Sequence, residues 1–274
     1  MSTYTAEDKR KVTTHRLVEM KQRGEKISML TAYDYSMAKL IDEAGIDVIL
    51  VGDSASNVMA GNMTTLPITL DQMIYHGKSV VKGVKRALVV VDMPFGSTIT
   101  PEISLKNAVK IYKNTLCDAV KIEGSKEIAP TIKLLDQNGI AVIAHIGLKP
   151  QLSRQEGGYR VAGKDDKEAK SILEDALVLE SAGAKMVLIE GVPSDLAKEI
   201  TKALKVPTIG IGAGASCDGQ VLVWSDAFGF YDEFKPKFVK RYMDGANLIR
   251  EAMKNYADEV RNIKFPSSQY EYTK

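Results

Sequence analysis

Val48-Ile-Leu-Val-Gly-Asp-Ser54 decides the fold. Four apolar residues run without a polar break and end in a glycine, a carboxylate and a hydroxyl. An apolar run of that length reads as a strand buried on both faces, as in a parallel sheet. The polar group at its carboxyl end lies where parallel α/β sheets place their chemistry.

The same pattern recurs in both directions along the chain. Ile27–Tyr33 precedes the opening stretch, with Asp34 placed to cap a helix over Tyr35–Ala44 and Gly45 to stop it. After it come Ala87–Asp92, Ala119–Gly124, Ile140–His145, Lys185–Glu190, Val206–Gly212 and Gln220–Trp224. Helical segments are expected over Thr69–Gly83, from Ser104 as a cap, over Lys126–Gln137, Asp165–Ala182 and Ser194–Leu204, and finally over Phe238–Arg261. Eight short strands alternating with helices fit a closed (β/α)8 TIM barrel better than an open doubly wound sheet. A chain of 274 residues is long enough for one, since about 250 is typical. Thr14–Arg23, before the first strand, is expected as an N-terminal helix covering the bottom of the barrel. Residues 1–13 read as loosely ordered. The expectation is a single barrel domain over 1–274 with a C-terminal helical extension. Two long excursions stand out: Ser54–Pro67, where Met59 and Met63 are expected to pack inward, and Gly147–Lys164.

Composition narrows the function classes. Net charge is +2, from 37 basic and 35 acidic residues, which gives no electrostatic case for nucleic-acid binding. Cys117 and Cys217, the only cysteines, show neither metal-like nor CxxC spacing. No apolar run approaches membrane-spanning length, and the first ten residues lack a secretory apolar segment. A cytoplasmic protein acting on small molecules is expected.

Asp53, Asp92, Glu123, His145 and Glu190 fall at the ends of consecutive strands, and in a barrel those ends converge at one mouth. Asp53, Asp92 and Glu123 would repel one another unless a cation lay between them. Oxygen ligands with waters retained suit Mg2+. Lys121, two residues before Glu123, shares its face of the strand. It is open to two compatible uses, pairing with those carboxylates and holding the carboxylate of an anionic substrate. His145 reads as either a satisfied structural group or a site residue. Glu190 is open to three readings: a further metal ligand, a buried structural carboxylate, or a general base. Its place two strands beyond Glu123 favours the base. Gly210-Ile-Gly-Ala-Gly214 would let backbone approach a ligand, and barrels often bind anions near strands seven and eight.

The stretches TAYDYSMAKLIDEAGID, VGDS, TTLPIT, VVVDMPFGS, AVKIEG, AHIGLKPQ, GGYRVAGK and IGIGAGASCDGQVLVWSD, running from Thr31 to Asp226, resemble the 3-methyl-2-oxobutanoate (ketopantoate) hydroxymethyltransferase family. FVKRY and KFPS continue the likeness. The resemblance implies a Mg2+-dependent barrel enzyme of pantothenate biosynthesis. It would move a one-carbon unit from 5,10-methylenetetrahydrofolate to 3-methyl-2-oxobutanoate, giving 2-dehydropantoate and tetrahydrofolate. It implies Asp53, Asp92 and Glu123 at the metal, a substrate site of Ser54, Asp92, Lys121 and His145, and Glu190 as the catalytic base. It further implies a homo-oligomer, commonly a decamer. The alternatives are a related Mg2+-dependent 2-oxo acid lyase or mutase and a non-catalytic paralogue. The chain departs from the family pattern at Ala55-Ser-Asn57, at Asn62-Met63 and at Lys149.

Overall fold

The computed structural model describes residues 10–231 and 236–272. The chain divides into two compact units between Val223 and Trp224. Among the described residues of the first, eight parallel strands form a closed barrel in chain order. They are β1 (Ile27–Thr31), β2 (Val48–Val51), β3 (Leu88–Asp92), β4 (Ala119–Glu123), β5 (Val142–Gly147), β6 (Met186–Glu190), β7 (Thr208–Ile211) and β8 (Gly219–Leu222). The helices of this unit are α1 (Thr14–Gln22), α2 (Tyr35–Glu43), α3 (Ala55–Val58), α4 (Leu70–Gly83), α5 (Pro101–Thr115), α6 (Ala129–Gln137), α7 (Asp166–Ser181) and α8 (Ser194–Ala203). The second unit holds α9 (Trp224–Ala227) and α10 (Gly245–Arg261).

The apolar runs are buried because a barrel strand faces the lumen on one side and helices on the other. Ile27, Met29, Val48, Leu50, Leu88, Val90, Ala119, Ile143, Met186, Leu188, Ile209 and Val221 share one core. Side chains alternate along a strand, so each lumen column can be followed upward. Leu88 and Val90 lead to Asp92, Ala119 to Lys121 and Glu123, Ile143 to His145, and Met186 and Leu188 to Glu190. The same period that fills the lower lumen with hydrocarbon therefore delivers ionisable groups to the top layer.

The lower end is closed by α1. Its Leu17 and Met20, with Val12 before it, join the barrel core. Residues 10–13 are therefore anchored rather than loose, while the expectation for 1–9 lies outside the described residues. Three aspartates fasten strand beginnings by accepting backbone N–H groups: Asp47 from Ser28 at 3.0 Å, Asp118 from Val89 at 2.8 Å and Asp218 from Thr208 at 2.8 Å. Each also meets a cation: Arg86 at 2.8 Å, Lys11 at 2.7 Å and Lys21 of α1 at 2.8 Å, respectively. Asp218→Ala strands the Thr208 N–H and unpairs Lys21. We expect it to lower stability by about 2–3 kcal/mol in urea unfolding without changing the slope of the transition.

Four further expectations need correction. The cap of α5 is Thr100, whose hydroxyl accepts from Ile103 N, and Ser104 lies inside the helix, donating to Thr100 O. β5 runs two residues beyond His145, because its ladder with β6 continues to Gly147 opposite Glu190. Met59 and Met63 do not pack inward; they are 47% and 91% exposed. The start of that excursion coils into α3 instead, which turns Ala55 and Ser56 inward. The last long helix begins at Gly245, not Phe238. The N–H groups of Tyr242, Gly245 and Ala246 are taken by the carbonyls of Ala227, Phe228 and Gly229, so a helical start there is pre-empted.

Candidate active site

The top layer of the lumen brings together Asp53, Asp92, Lys121, Glu123, His145 and Glu190. Lys121 is the hub. Its ammonium, on a side chain only 5% exposed, lies 3.1 Å from Asp92 Oδ1 and 3.8 Å from Glu123 Oε1. It also lies 3.3 Å from His145 Nδ1. His145 stands between two carboxylates, with Nδ1 3.3 Å from Glu123 Oε1 and Nε2 3.3 Å from Glu190 Oε2. Glu190 is thus separated from the acidic cluster by a single imidazole, nearer than a position two strands away suggests. Its side chain is 19% exposed, against 5% or less for Asp92, Lys121, Glu123 and His145.

Asp53 lies just past β2. Its backbone N–H donates to Asp92 Oδ2 at 2.9 Å, which fixes one oxygen of that carboxylate. Gly52 leaves room for Ser54, since a Cβ there would stand 2.7 Å from Ser54 Oγ. Gly147 does the same at the end of β5. Its φ of +89° suits glycine, and a Cβ would come 2.3 Å from the Glu190 carbonyl. Leu148 N then donates to that carbonyl at 2.8 Å, fixing the backbone that carries the proposed base.

Two contributors were not picked out from the sequence as site residues. Tyr33, almost wholly buried after β1, shares a hydrogen bond with Ser54 Oγ at 2.8 Å, and its carbonyl accepts from His76 Nδ1 at 2.7 Å. Gln151, in a single 3-10 turn after β5, donates its Nε2 to Asp53 Oδ2 at 2.9 Å and its backbone N–H to Glu123 Oε2 at 3.0 Å. Both were legible only as members of a motif. A hydroxyl beyond a strand end and an amide in a polar excursion signal nothing until register is known.

The electrostatics follow from burial. Asp53 is pushed up to about 8 by loss of water and then by the negative charges of Asp92 and Glu123. Burial also raises Asp92, against the pull of Lys121. Burial and the Lys121 charge press the His145 imidazole down, yet Glu123 and Glu190 outweigh them and hold it at about 9. Burial likewise opposes the Lys121 charge, and Asp92, Glu123 and Asp53 overcome it, so the ammonium persists. Glu123 is lowered despite burial, chiefly by His145 and Lys121. Tyr159, half exposed on the excursion after β5, is raised by burial and by the charges of Asp53, Glu190 and Glu123, so its hydroxyl feels the same cluster.

Asp92 Oδ1, Glu123 Oε1 and His145 Nε2 are buried and lack a hydrogen bond of good geometry, though each lies within ion-pair distance of a neighbour. Burying polar atoms in that condition is costly unless something else engages them. The donors are hard carboxylate oxygens, which suits Mg2+ or another oxygen-seeking cation. Among the described residues, no three His, Cys, Asp or Glu side chains already form a ready-made metal cage. Mg2+ commonly takes only one or two carboxylates and completes its shell with water and substrate.

The glycine-rich segment after β7 is used within the protein. A Cβ on Gly210 would meet Cys217 Sγ at 2.9 Å, and one on Gly214 would meet Ser194 Cβ at 2.6 Å. The positions that depart from the family pattern engage one another. Ser56 Oγ donates to Thr64 O at 2.8 Å, Asn62 Nδ2 to Ser56 Oγ at 3.2 Å, and Asn57 Nδ2 to Asn62 O at 2.8 Å. Lys149 lies 3.3 Å from Ser125 Oγ and 3.5 Å from Glu156. These contacts close the β2 excursion on itself and leave the carboxylates untouched.

A family model described as ketopantoate hydroxymethyltransferase matches residues 11–268. The 3-methyl-2-oxobutanoate hydroxymethyltransferase of Campylobacter fetus subsp. fetus is 66% identical over 97% of this chain and 100% of its own length. That of Porphyromonas gingivalis is 55% identical over 99% and 100%. Among solved structures, 2,3-dimethylmalate lyase superposes with a TM-score of 0.62 at 16% identity, covering 95% of this chain and 92% of its own, a likeness of fold alone. By the span of the family match and the level of identity, the chain belongs to the ketopantoate hydroxymethyltransferase family.

Proposed function

We propose that this protein transfers a hydroxymethyl group from 5,10-methylenetetrahydrofolate to 3-methyl-2-oxobutanoate, giving 2-dehydropantoate and tetrahydrofolate. The observation that carries the reading is the top layer of the lumen. There Asp53, Asp92 and Glu123 converge, Asp92 Oδ1 and Glu123 Oε1 are buried without a hydrogen bond of good geometry, and Lys121, His145 and Glu190 surround them. Family membership favours this reaction over that of a 2-oxo acid lyase or mutase sharing the barrel. The intact polar set argues against a non-catalytic paralogue.

Asp53, Asp92 and Glu123 would hold Mg2+, partly through water. When bound, Mg2+ supplies positive charge that offsets the negative charge developing on the keto oxygen. The chain's own residues do the rest. The Ser54 hydroxyl, oriented by Tyr33, and the Lys121 ammonium hold the substrate carboxylate. Glu190 removes the proton from the branched carbon, and His145 orients Glu190 through Nε2. The carbon so freed of its proton bonds to the one-carbon unit, both bonds from that unit to the folate nitrogens break, and water supplies the hydroxyl oxygen. Tetrahydrofolate leaves with its two nitrogens reprotonated, by the proton Glu190 took and by the one water gives up. His145 is given a positioning role and no proton transfer. The oligomer, proposed as a decamer, finds support in the spacing of Ile249, Met253, Tyr256 and Val260, which recurs on one face of α10. A cytoplasmic setting accords with the small-molecule substrates. No described helix is long and apolar enough to cross a membrane.

The test is product identification after incubation with Mg2+, the oxo acid and the folate, omitting each in turn. We expect 2-dehydropantoate only in the complete mixture. Product formed without folate, or none in the complete mixture, would remove the reading.

A pH dependence follows. Asp53 and His145 both bind protons more tightly folded than unfolded, so their contribution is greatest at low pH. It is lost as pH rises toward about 8 for Asp53 and about 9 for His145. Without divalent cation, the melting midpoint should fall between pH 6.5 and 9. Mg2+ should raise it more at pH 9 than at pH 6.5, as thermal melts at both pH values would reveal.

A further inference from the structure

Gln151 touches more of the cluster than its place in a loop would suggest. Its Nε2 lies 2.9 Å from Asp53 Oδ2 and 3.1 Å from the Met93 carbonyl, just past β3. Both partners accept, so the end of the side chain facing them must be the donating NH2, which fixes the orientation of the amide. Its backbone N–H takes Glu123 Oε2 at 3.0 Å. One residue following β5 therefore reaches the ends of β2, β3 and β4.

The consequence lies in which oxygens remain. Gln151 occupies Oδ2 of Asp53 and Oε2 of Glu123, while Asp53 N occupies Oδ2 of Asp92. Asp92 Oδ1 and Glu123 Oε1 are left buried with ion-pair neighbours, Lys121 at 3.1 Å and His145 at 3.3 Å, but no hydrogen bond of good geometry, and Asp53 Oδ1 is the oxygen of the third carboxylate that Gln151 does not take. We propose that Gln151 is a positioning residue. It turns the Asp53 and Glu123 carboxylates so that one oxygen of each is presented to a divalent cation, and it couples the segment 147–164 to occupancy of that site. The inference rests on the Mg2+ reading above and adds a residue that acts through its ligands. Groups behind metal ligands commonly change affinity 10–100-fold when replaced.

The coupling can be read without turnover. Arg154, Arg160 and Lys164 are exposed on the segment and offer trypsin sites. In the full-length wild type, Mg2+ with 3-methyl-2-oxobutanoate should slow cleavage there several-fold. Gln151→Met keeps the length of the side chain and removes its donor. We expect its Mg2+ affinity by calorimetry to fall about 10-fold or more. Its Mn2+ paramagnetic resonance spectrum should change, and ligand protection of the segment should be lost. Gln151→Asn, a shortened amide, should fall between. A Gln151→Met protein that binds Mg2+ within twofold of wild type, or is protected equally, overturns the inference while leaving the proposed function standing. Wild type that binds Mg2+ yet shows no ligand protection refutes the coupling even if no variant folds. Wild type that binds no Mg2+ removes both.

Discussion

Glu190→Gln is expected to lower turnover about 10^2–10^4-fold, the usual contribution of a positioned base, while affinity for the oxo acid stays within a few-fold of wild type. The replacement keeps the size of the side chain and can still meet His145, whose Nε2 lies 3.3 Å from Glu190 Oε2. It removes only the ability to accept a proton. The effect should therefore fall on kcat rather than KM. Steady-state kinetics paired with calorimetric binding of the oxo acid separates the two. A loss that appears only in binding would make Glu190 a structural carboxylate, and a loss below tenfold would make another group the base. Gly147, which sets the backbone of Glu190 from across the β5–β6 ladder, explains how a residue at a strand end is held firmly enough to act.

Lys121→Met should be the most destabilising single change in the lumen, by about 3–5 kcal/mol without Mg2+ at neutral pH. Methionine fills the space and suits the apolar stem. The loss is electrostatic, since Asp92, 3.1 Å from the ammonium, is left buried without its main counter-charge, and Glu123, 3.8 Å away, keeps only that of His145. Two dependences distinguish this from a packing defect. Acidification toward pH 5 should shrink the deficit, because burial raises Asp53 and Asp92, and once protonated these no longer repel Glu123. Mg2+ should shrink it too, by supplying charge in place of the ammonium. Urea unfolding at pH 5 and pH 8, with and without Mg2+, measures both. A deficit that ignores pH and cation would show that Lys121 stabilises by packing alone.

Much of the fold is legible in the sequence because barrel strands carry their own signal. Val48–Val51 is apolar on both faces, and no other common soluble element asks for that at so short a length. The carboxylates are legible for a related reason. Asp92 and Glu190 continue lumen columns two residues above apolar positions, and Glu123 continues the column of Ala119 and Lys121, so one alternation rule predicts both the core and the ring of charge. Where the period stops, the reading weakens. Met59 and Met63 lie in an excursion with no repeat to say which way they face, and α3 turned their neighbours inward instead. The start of α5 could have been found at Thr100, since Pro101 is placed as the first helical residue after a capping hydroxyl. Gln151 could not, because its importance comes from meeting three other strands across the mouth. That belongs to tertiary register and leaves no trace in local spacing.

The most direct test of the account is exchange of the C3 proton of 3-methyl-2-oxobutanoate with deuterated solvent, followed by NMR in the presence of Mg2+ and without folate. The wild type should exchange that proton well above the enzyme-free rate, and a folded Glu190→Gln protein that still binds the oxo acid should not. Equal exchange by the two proteins would contradict the assignment of the base, and no exchange by wild type would contradict proton removal as a step that this lumen performs before the one-carbon unit arrives.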